Sequence, residues 1–194
     1  FAFLQDDLEA ARLGAPDDEA TEDALLARIL EHFAIARGFA ARALGQSGGW
    51  TEALGGQALE EAEPEAVEAA LAALGPADAE ALFWLAFAWG GALQADLDPA
   101  AATALPKVEA MAARVLELDD EVFYGLGPHM MTGVIHGFRA PAIGGDPEKA
   151  AHHFAEAKRL SGGVLLPDVL LAQYVYAQTG QVDAFRATLE AVIA

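Results

Sequence analysis

Residues 143–157 are the segment that most constrains what this chain can fold into. Asp146 stands where its carboxylate accepts hydrogen bonds from the first free backbone N–H groups of a helix. Pro147 fits the first helical position, where a missing N–H costs nothing. Ala150, Phe154 and Ala157 then place small, large and small residues on one helix face. The segment therefore predicts a loop, a capped helix start and a packed helix.

A related pattern recurs elsewhere in the chain. It returns near the C-terminus as Ala184, Thr188 and Ala191. The offset from the first pattern is about 34 residues, which is the period of tetratricopeptide repeats. A more degenerate face, formed by Val108, Ala112 and Val115, precedes Ala150 by a longer interval, so the loop at 139–145 is interpreted as an insertion into that spacing. This pattern favours a helical-repeat protein, and therefore binding rather than chemistry.

The composition also favours helices. Alanine, leucine and glutamate dominate, whereas valine, isoleucine and threonine are sparse. A length of 194 residues suffices for one sizeable core. Short connectors predict that consecutive helices pack antiparallel. We therefore predict one all-α domain over residues 1–194, a bundle of antiparallel helix pairs with divergent tetratricopeptide-like (TPR-like) repeats.

Glycine, proline and capping residues predict where the helices begin and end. Asp78 is predicted to cap the helix 79–94, and Asp119 and Asp120 the helix that ends near 138. The other predicted helices are 4–13, 17–44, 51–62, 64–74, 107–118, 147–160, 167–179 and 181–193.

The charge of the chain excludes one class of partner. Thirty acidic and 11 basic residues give a net charge of -19, which repels the phosphate backbone of nucleic acids. The chain has no cysteine, which excludes disulfides and thiol chemistry in the sequence as given. The uncharged run after Ala81 is shorter than the ~20 residues of a membrane-spanning helix and predicts a buried core helix.

Two patterns bear on catalysis and metal binding. Residues 45–49 spell G-x-S-x-G around Ser47, but a nucleophile elbow needs a preceding strand, and an alanine-rich helix is predicted there. We interpret these glycines as a helix stop. The five histidines supply no three-ligand zinc motif, so we predict neither a metal nor a cofactor.

Two aromatic helices give the best candidate for a ligand site. The first is uncharged and carries Trp84 and Trp89, and the second carries Tyr124 and His129. A helix that is apolar on every side must be surrounded on every side, and tryptophan and histidine add polar atoms that an aliphatic core does not need. Arg139, a rare positive charge, is predicted at the mouth of the pocket, where it would hold a carboxylate. The five predicted ligand-binding residues are Trp84, Trp89, Tyr124, His129 and Arg139.

The order of these motifs resembles a known family. The motifs are Trp84, Trp89-Gly90, residues 116–119, His129 with Gly133, Pro141, residues 144–150, His153-Phe154, Ala157 and residues 161–163. This order is similar to that of the T component of TRAP transporters (the TatT family), which are periplasmic TPR-like lipoproteins. The resemblance is good over residues 78–194 and loose over residues 1–77.

The resemblance implies a non-enzymatic accessory protein that associates with the solute-binding subunit of a TRAP transporter. It implies a homotrimer with an internal cavity for a small hydrophobic or carboxylate-bearing ligand. It also implies a periplasmic location, with membrane attachment through a lipidated N-terminal cysteine that this chain does not contain. Two other functions stay open: a general TPR-like scaffold for proteins or peptides, and a hydrolase that uses Ser47 or a histidine.

Overall fold

The computed structural model describes residues 10, 14, 19–96, 101–119 and 127–194. Within these residues the chain is helical and has no strand, which confirms the all-α prediction. The helices are α1 Glu19–Leu44, α2 Gly48–Leu54, α3 Pro64–Ala72, α4 Ala79–Ala95, α5 Leu105–Leu118, α6 Gly127–Gly137, α7 Pro147–Leu160, α8 Leu166–Leu171 and α9 Val182–Ile193. A π-helical segment, Ala172–Tyr176, continues α8.

The helices pack in a succession that follows the chain. Helix α4 packs on α1 and α5, α6 packs on α5 and α7, and α7 packs on α8 and the π-helical segment. Gly137 lies against Ala150, and Gly133 lies against Phe154, so α6 and α7 run antiparallel. The TPR-like repeat assignment and the single domain stay predictions.

The start of α7 confirms the local sequence prediction. The Oδ1 atom of Asp146 accepts a hydrogen bond from the Lys149 backbone N–H at 3.0 Å, and Pro147 occupies the first helical turn. Ala150, Phe154 and Ala157 are all buried. A local cap and a periodic apolar face therefore determined this helix.

Three other local predictions were wrong in detail. The helix predicted over 51–62 ends at Leu54, because Gly55 and Gly56 adopt positive φ angles of 58° and 79°. The Asp78 carboxylate accepts a hydrogen bond from the Gly75 N–H at 3.0 Å instead of capping α4. The helix predicted over 167–179 gives way at Ala172 to the π-helical segment.

Parts of two predicted helices lie outside the described residues. These are the helix predicted over 4–13 and the segment between Asp119 and Gly127, which includes the predicted cap at Asp120. Among the described residues, no single helix is long and apolar enough to cross a membrane. The segments Pro64–Ala72 and Pro76–Ala95 meet those criteria only together, and the chain bends by 111° between them.

Candidate functional site

A close contact between α1 and α4 positions the candidate site. The ring of Phe33 lies on the backbone of Gly91, where a Cβ atom would come within 2.2 Å of the phenylalanine Cζ. Only glycine leaves room for that ring, and the contact fixes the register of the two antiparallel helices. One turn further along α1, this register brings Arg37 over the ring of Trp89.

Arg37 makes two contacts that hold its guanidinium in place. Its Cζ lies 4.7 Å from the centroid of the buried Trp89 ring, a cation–π arrangement. Its Nη2 atom pairs with the carboxylate of Glu60, which lies 23 residues further along the chain. Burial lowers the pKa of Arg37, but a guanidinium stays protonated in proteins. The site therefore keeps a fixed, half-buried positive charge.

Two cavities of about 540 Å³ each meet at this ion pair, and Arg37 and Glu60 line both of them. The first cavity is lined mainly by apolar side chains, among them Trp50, Leu54, Leu59 and Leu85. The second is more polar and is lined, among others, by Trp89, Leu93, Asp96 and Lys107. Ligand sites commonly have volumes of ~300–1,000 Å³, and the volume of each cavity lies within that range.

Lys107 places a second positive charge at the same site. Its Nζ donates hydrogen bonds to the carbonyl oxygens of Leu59 at 3.0 Å and Glu60 at 2.7 Å. These bonds tie the segment after α2 to α5 and so position the Glu60 carboxylate. Arg37 and Lys107 are therefore two half-buried cations at one site, which also carries the carboxylates of Glu60, Glu63 and Asp96.

The structure gives the predicted ligand-binding residues different partners. Trp84 packs against the rings of Phe83 and Phe87, with centroid distances of 5.0 and 5.7 Å. Trp89 lies under Arg37 and lines the second cavity. The His129 Nδ1 lies 3.0 Å from the Nδ1 of His153.

Arg139 and Tyr124 complete this set. Arg139 pairs with Glu109, its side chain is 17% exposed, and its Cζ lies 5.5 Å from the centroid of the Phe138 ring. Its buried Nε has no hydrogen-bond partner among the described residues. Tyr124 lies outside the described residues. Of the predicted residues that are described, Trp89 lines one of the two cavities above, and Trp84, His129 and Arg139 line neither. A cavity shared by all five residues stays a prediction.

Arg37, Glu60 and Lys107 were not among the site residues predicted from the sequence. One local signal pointed to Arg37, which interrupts the apolar stripe of α1 between Phe33 and Ala40. The pairing of Arg37 with Glu60 depends on the turn that follows α2, and no local pattern predicts that contact.

The described residues also bear on the catalytic and metal hypotheses. Ser47 lies between the helices α1 and α2 and has no strand before it, so the structural context of a nucleophile elbow is missing there. Within the described part of the chain, no three histidine, aspartate or glutamate side chains are grouped to hold a metal ion.

The comparisons with known proteins identify the family. Residues 1–194 match the model of the family TAtT, described as TRAP transporter T-component. The match includes residues 1–77, where the resemblance of the motifs was loose. Among curated proteins, no relative matches the chain. Since the match covers the whole chain, this protein belongs to the TRAP transporter T-component family.

Proposed function

We propose that this T-component is a non-enzymatic periplasmic protein that binds the solute-binding subunit of its transporter and a small carboxylate-bearing, partly hydrophobic ligand. Membership of the family gives the chain an accessory role in TRAP transport. The observation that carries the ligand proposal is the pair of cavities that meet at Arg37 and Glu60 above Trp89.

The ligand carboxylate would take the place of the Glu60 carboxylate on Arg37. The Glu60 side chain is half exposed and can be displaced into solvent although its backbone is held by Lys107, whereas Arg37 would keep its contact with Trp89. The apolar part of the ligand would then lie in the first cavity, against Trp50, Leu54 and Leu85. Lys107 lines the second cavity, where its charge would attract an anion and the carboxylates of Glu63 and Asp96 would oppose that attraction.

A thermal-shift experiment with octanoate tests the ligand proposal, and 1-octanol serves as the uncharged control. Octanoate is expected to raise the melting temperature, because a ligand that binds only the folded state stabilises it. The Arg37→Gln variant is expected to lose about tenfold or more in affinity, since a charge-assisted hydrogen bond contributes roughly 1.5–3 kcal/mol.

The matched control is Arg28→Gln, which removes an exposed cation from the same helix. It is expected to bind octanoate as the wild type does. Equal affinity of the Arg37→Gln variant and the wild type would refute the carboxylate site. A screen of other organic acids and fatty acids in the same assay would then show whether any acid binds elsewhere.

The partner is tested by sedimentation velocity with the cognate solute-binding protein. A complex is expected at micromolar concentration. If no complex forms at high concentration and low salt, the accessory protein does not act through this subunit, and a general TPR-like scaffold becomes the better interpretation. The same experiment without the partner measures the oligomeric state, for which we propose a trimer.

We also propose that the protein as synthesised is anchored to the membrane through a lipidated cysteine near its N-terminus. Mass spectrometry of the protein purified from membranes is expected to detect a diacylglyceryl group on that cysteine. An unmodified N-terminus in the membrane fraction would contradict the anchor without affecting the ligand proposal.

A further inference from the structure

Four histidines of α6 and α7 meet at one place, and His153 is at its centre. The Nδ1 of His153 lies 3.0 Å from the Nδ1 of His129. The His136 ring stacks on the His153 ring, with a centroid distance of 6.2 Å and an interplanar angle of 16°. The His152 ring meets His153 edge-on at 5.4 Å. The candidate ligand site does not use this cluster.

Tight packing between α6 and α7 holds the rings together. A Cβ atom on Gly133 would lie 2.6 Å from the Phe154 ring, so only glycine admits that ring. Gly137 also approaches α7 closely, and a Cβ there would lie 3.3 Å from the Cβ of Ala150. The two helices therefore approach closely at two positions that lie one turn apart on α6.

The charged groups around the cluster already have partners. Asp146 accepts the Lys149 N–H, Glu156 pairs with Arg159, and Glu109 of α5 pairs with Arg139. In the elements after α7, Asp168 of α8 pairs with Lys158, and the Tyr174 hydroxyl accepts a hydrogen bond from Gln94. Lys149 itself adds positive charge near His153 and His136.

These surroundings favour the neutral forms of His153 and His136 in the folded protein. Burial, followed by the neighbouring His129, His152 and His136, lowers the pKa of His153 from 6.5 to about 4. Burial and then Lys149 lower the pKa of His136. A hydrogen bond between two Nδ1 atoms needs one ring to donate and the other to accept, so it is lost when both rings are protonated.

We propose that this histidine cluster makes the contact between α6 and α7 sensitive to protons, so that it holds at neutral pH and loosens when the cluster becomes charged. The unfolded chain binds more protons than the folded chain between about pH 6.5 and pH 4, since folding lowers the pKa of His153 across that interval. Stability from the cluster is therefore fully present above pH 6.5 and is lost as the pH falls toward 4. This inference does not depend on the proposed function.

Hydrogen exchange tests the proposal within one molecule. The protection of α7 amides against exchange is compared with that of α4 amides at pH 7.5 and pH 5.0. Both solutions contain EDTA, and both pH values lie above the isoelectric point of about 4.3. In the wild type, the relative protection of α7 is expected to fall on the order of tenfold at pH 5.0. In His153→Gln, whose amide does not titrate, the ratio is expected to fall much less, with the remaining change due to His136.

The matched control is His32→Gln, at an exposed histidine of α1, and it is expected to follow the wild type. Equal pH dependence of α7 protection in the wild type and His153→Gln would overturn the proposal. NMR titration of the wild-type histidine rings needs no variant. The His153 ring is expected to stay neutral at pH 5.0, and a protonated His153 ring at that pH would also overturn the proposal.

Discussion

Helices α7 and α9 carry a related small–large–small pattern, but they have different roles in the packing. In α7 the three residues of the pattern, Ala150, Phe154 and Ala157, are at most 1% exposed. Helix α9 has no buried residue, and Ile193 near its end is 84% exposed. The pattern therefore specifies which face of a helix is small and apolar, but not how deeply that face is buried.

The difference comes from the neighbours of each helix. Helix α7 lies between α6 on one side and the chain from α8 to Tyr176 on the other. Among the described elements, helix α9 packs closely only on α8 and the π-helical segment, Ala172–Tyr176. These two elements are consecutive in the chain and so cover α9 from one side. A helix face is buried completely only where it is enclosed, so the same spacing gives a core helix in one place and a half-covered helix in the other.

The largest expected effect comes from truncating one phenylalanine in each helix, although Phe185 of α9 lies beside the pattern rather than in it. Phe154→Ala is expected to lower the free energy of unfolding by about 3–5 kcal/mol, because it leaves a cavity in a closed core. Phe185→Ala in α9 is expected to cost about 1.5 kcal/mol or less, because Phe185 is only half-buried. Urea denaturation measures both changes. Equal losses of stability would contradict the conclusion that α7 is more deeply buried than α9.

A smaller effect is expected from adding one methyl group to the α6–α7 contact. Gly133→Ala is expected to destabilise by about 1–3 kcal/mol, because the new Cβ would overlap the Phe154 ring. Gly38→Ala in α1 is the matched control, since its Cβ would meet only the Arg42 side chain at 3.5 Å. That variant is expected to stabilise by roughly 0.5–1 kcal/mol through helix propensity. If Gly133→Ala also stabilised the protein, the close contact would be refuted.

The next smaller effect on stability is expected from truncating the N-terminal capping residue of each helix. Asp146→Ala is expected to cost about 1 kcal/mol, because the carboxylate caps α7 through the Lys149 N–H. Gln181→Ala is expected to change little, because the Gln181 side chain makes no capping hydrogen bond to α9. Thermal unfolding measures both. A similar loss of stability in the two variants would show that the Asp146 cap does not make the start of α7 more stable than that of α9.

The smallest expected effect is at the end of α9. Ile193→Ser is expected to change the free energy of unfolding by less than about 0.5 kcal/mol, since the side chain is exposed. A loss well above that value in the isolated protein at low concentration would mean that α9 is more enclosed than its contacts indicate. A loss that appears only at high concentration would instead indicate that Ile193 is covered by another copy of the chain.

Local interactions explain what could be predicted. The bounds of α7 followed from the Asp146-Pro147 cap and the spacing of its apolar residues, all within one helix. The end of α2 was missed, although Gly55 and Gly56 were visible, because the surrounding alanines and leucine also suit a helix. The candidate site was predicted only through Trp89, since aromatic residues on an uncharged helix are a local signal and their partners are not.

The sequence by itself therefore determined the helical class, most helix bounds, the cap of α7 and the family, because these depend on residues within a few turns or on the order of motifs. The tertiary structure alone decided which faces are buried, that Arg37 meets Glu60, and that His129 meets His153. These pairs are separated by 23 and 24 residues. Such contacts depend on tertiary packing. The turn after α2 brings Glu60 to Arg37, and Gly133 lets α6 approach α7 closely enough for His129 and His153 to meet.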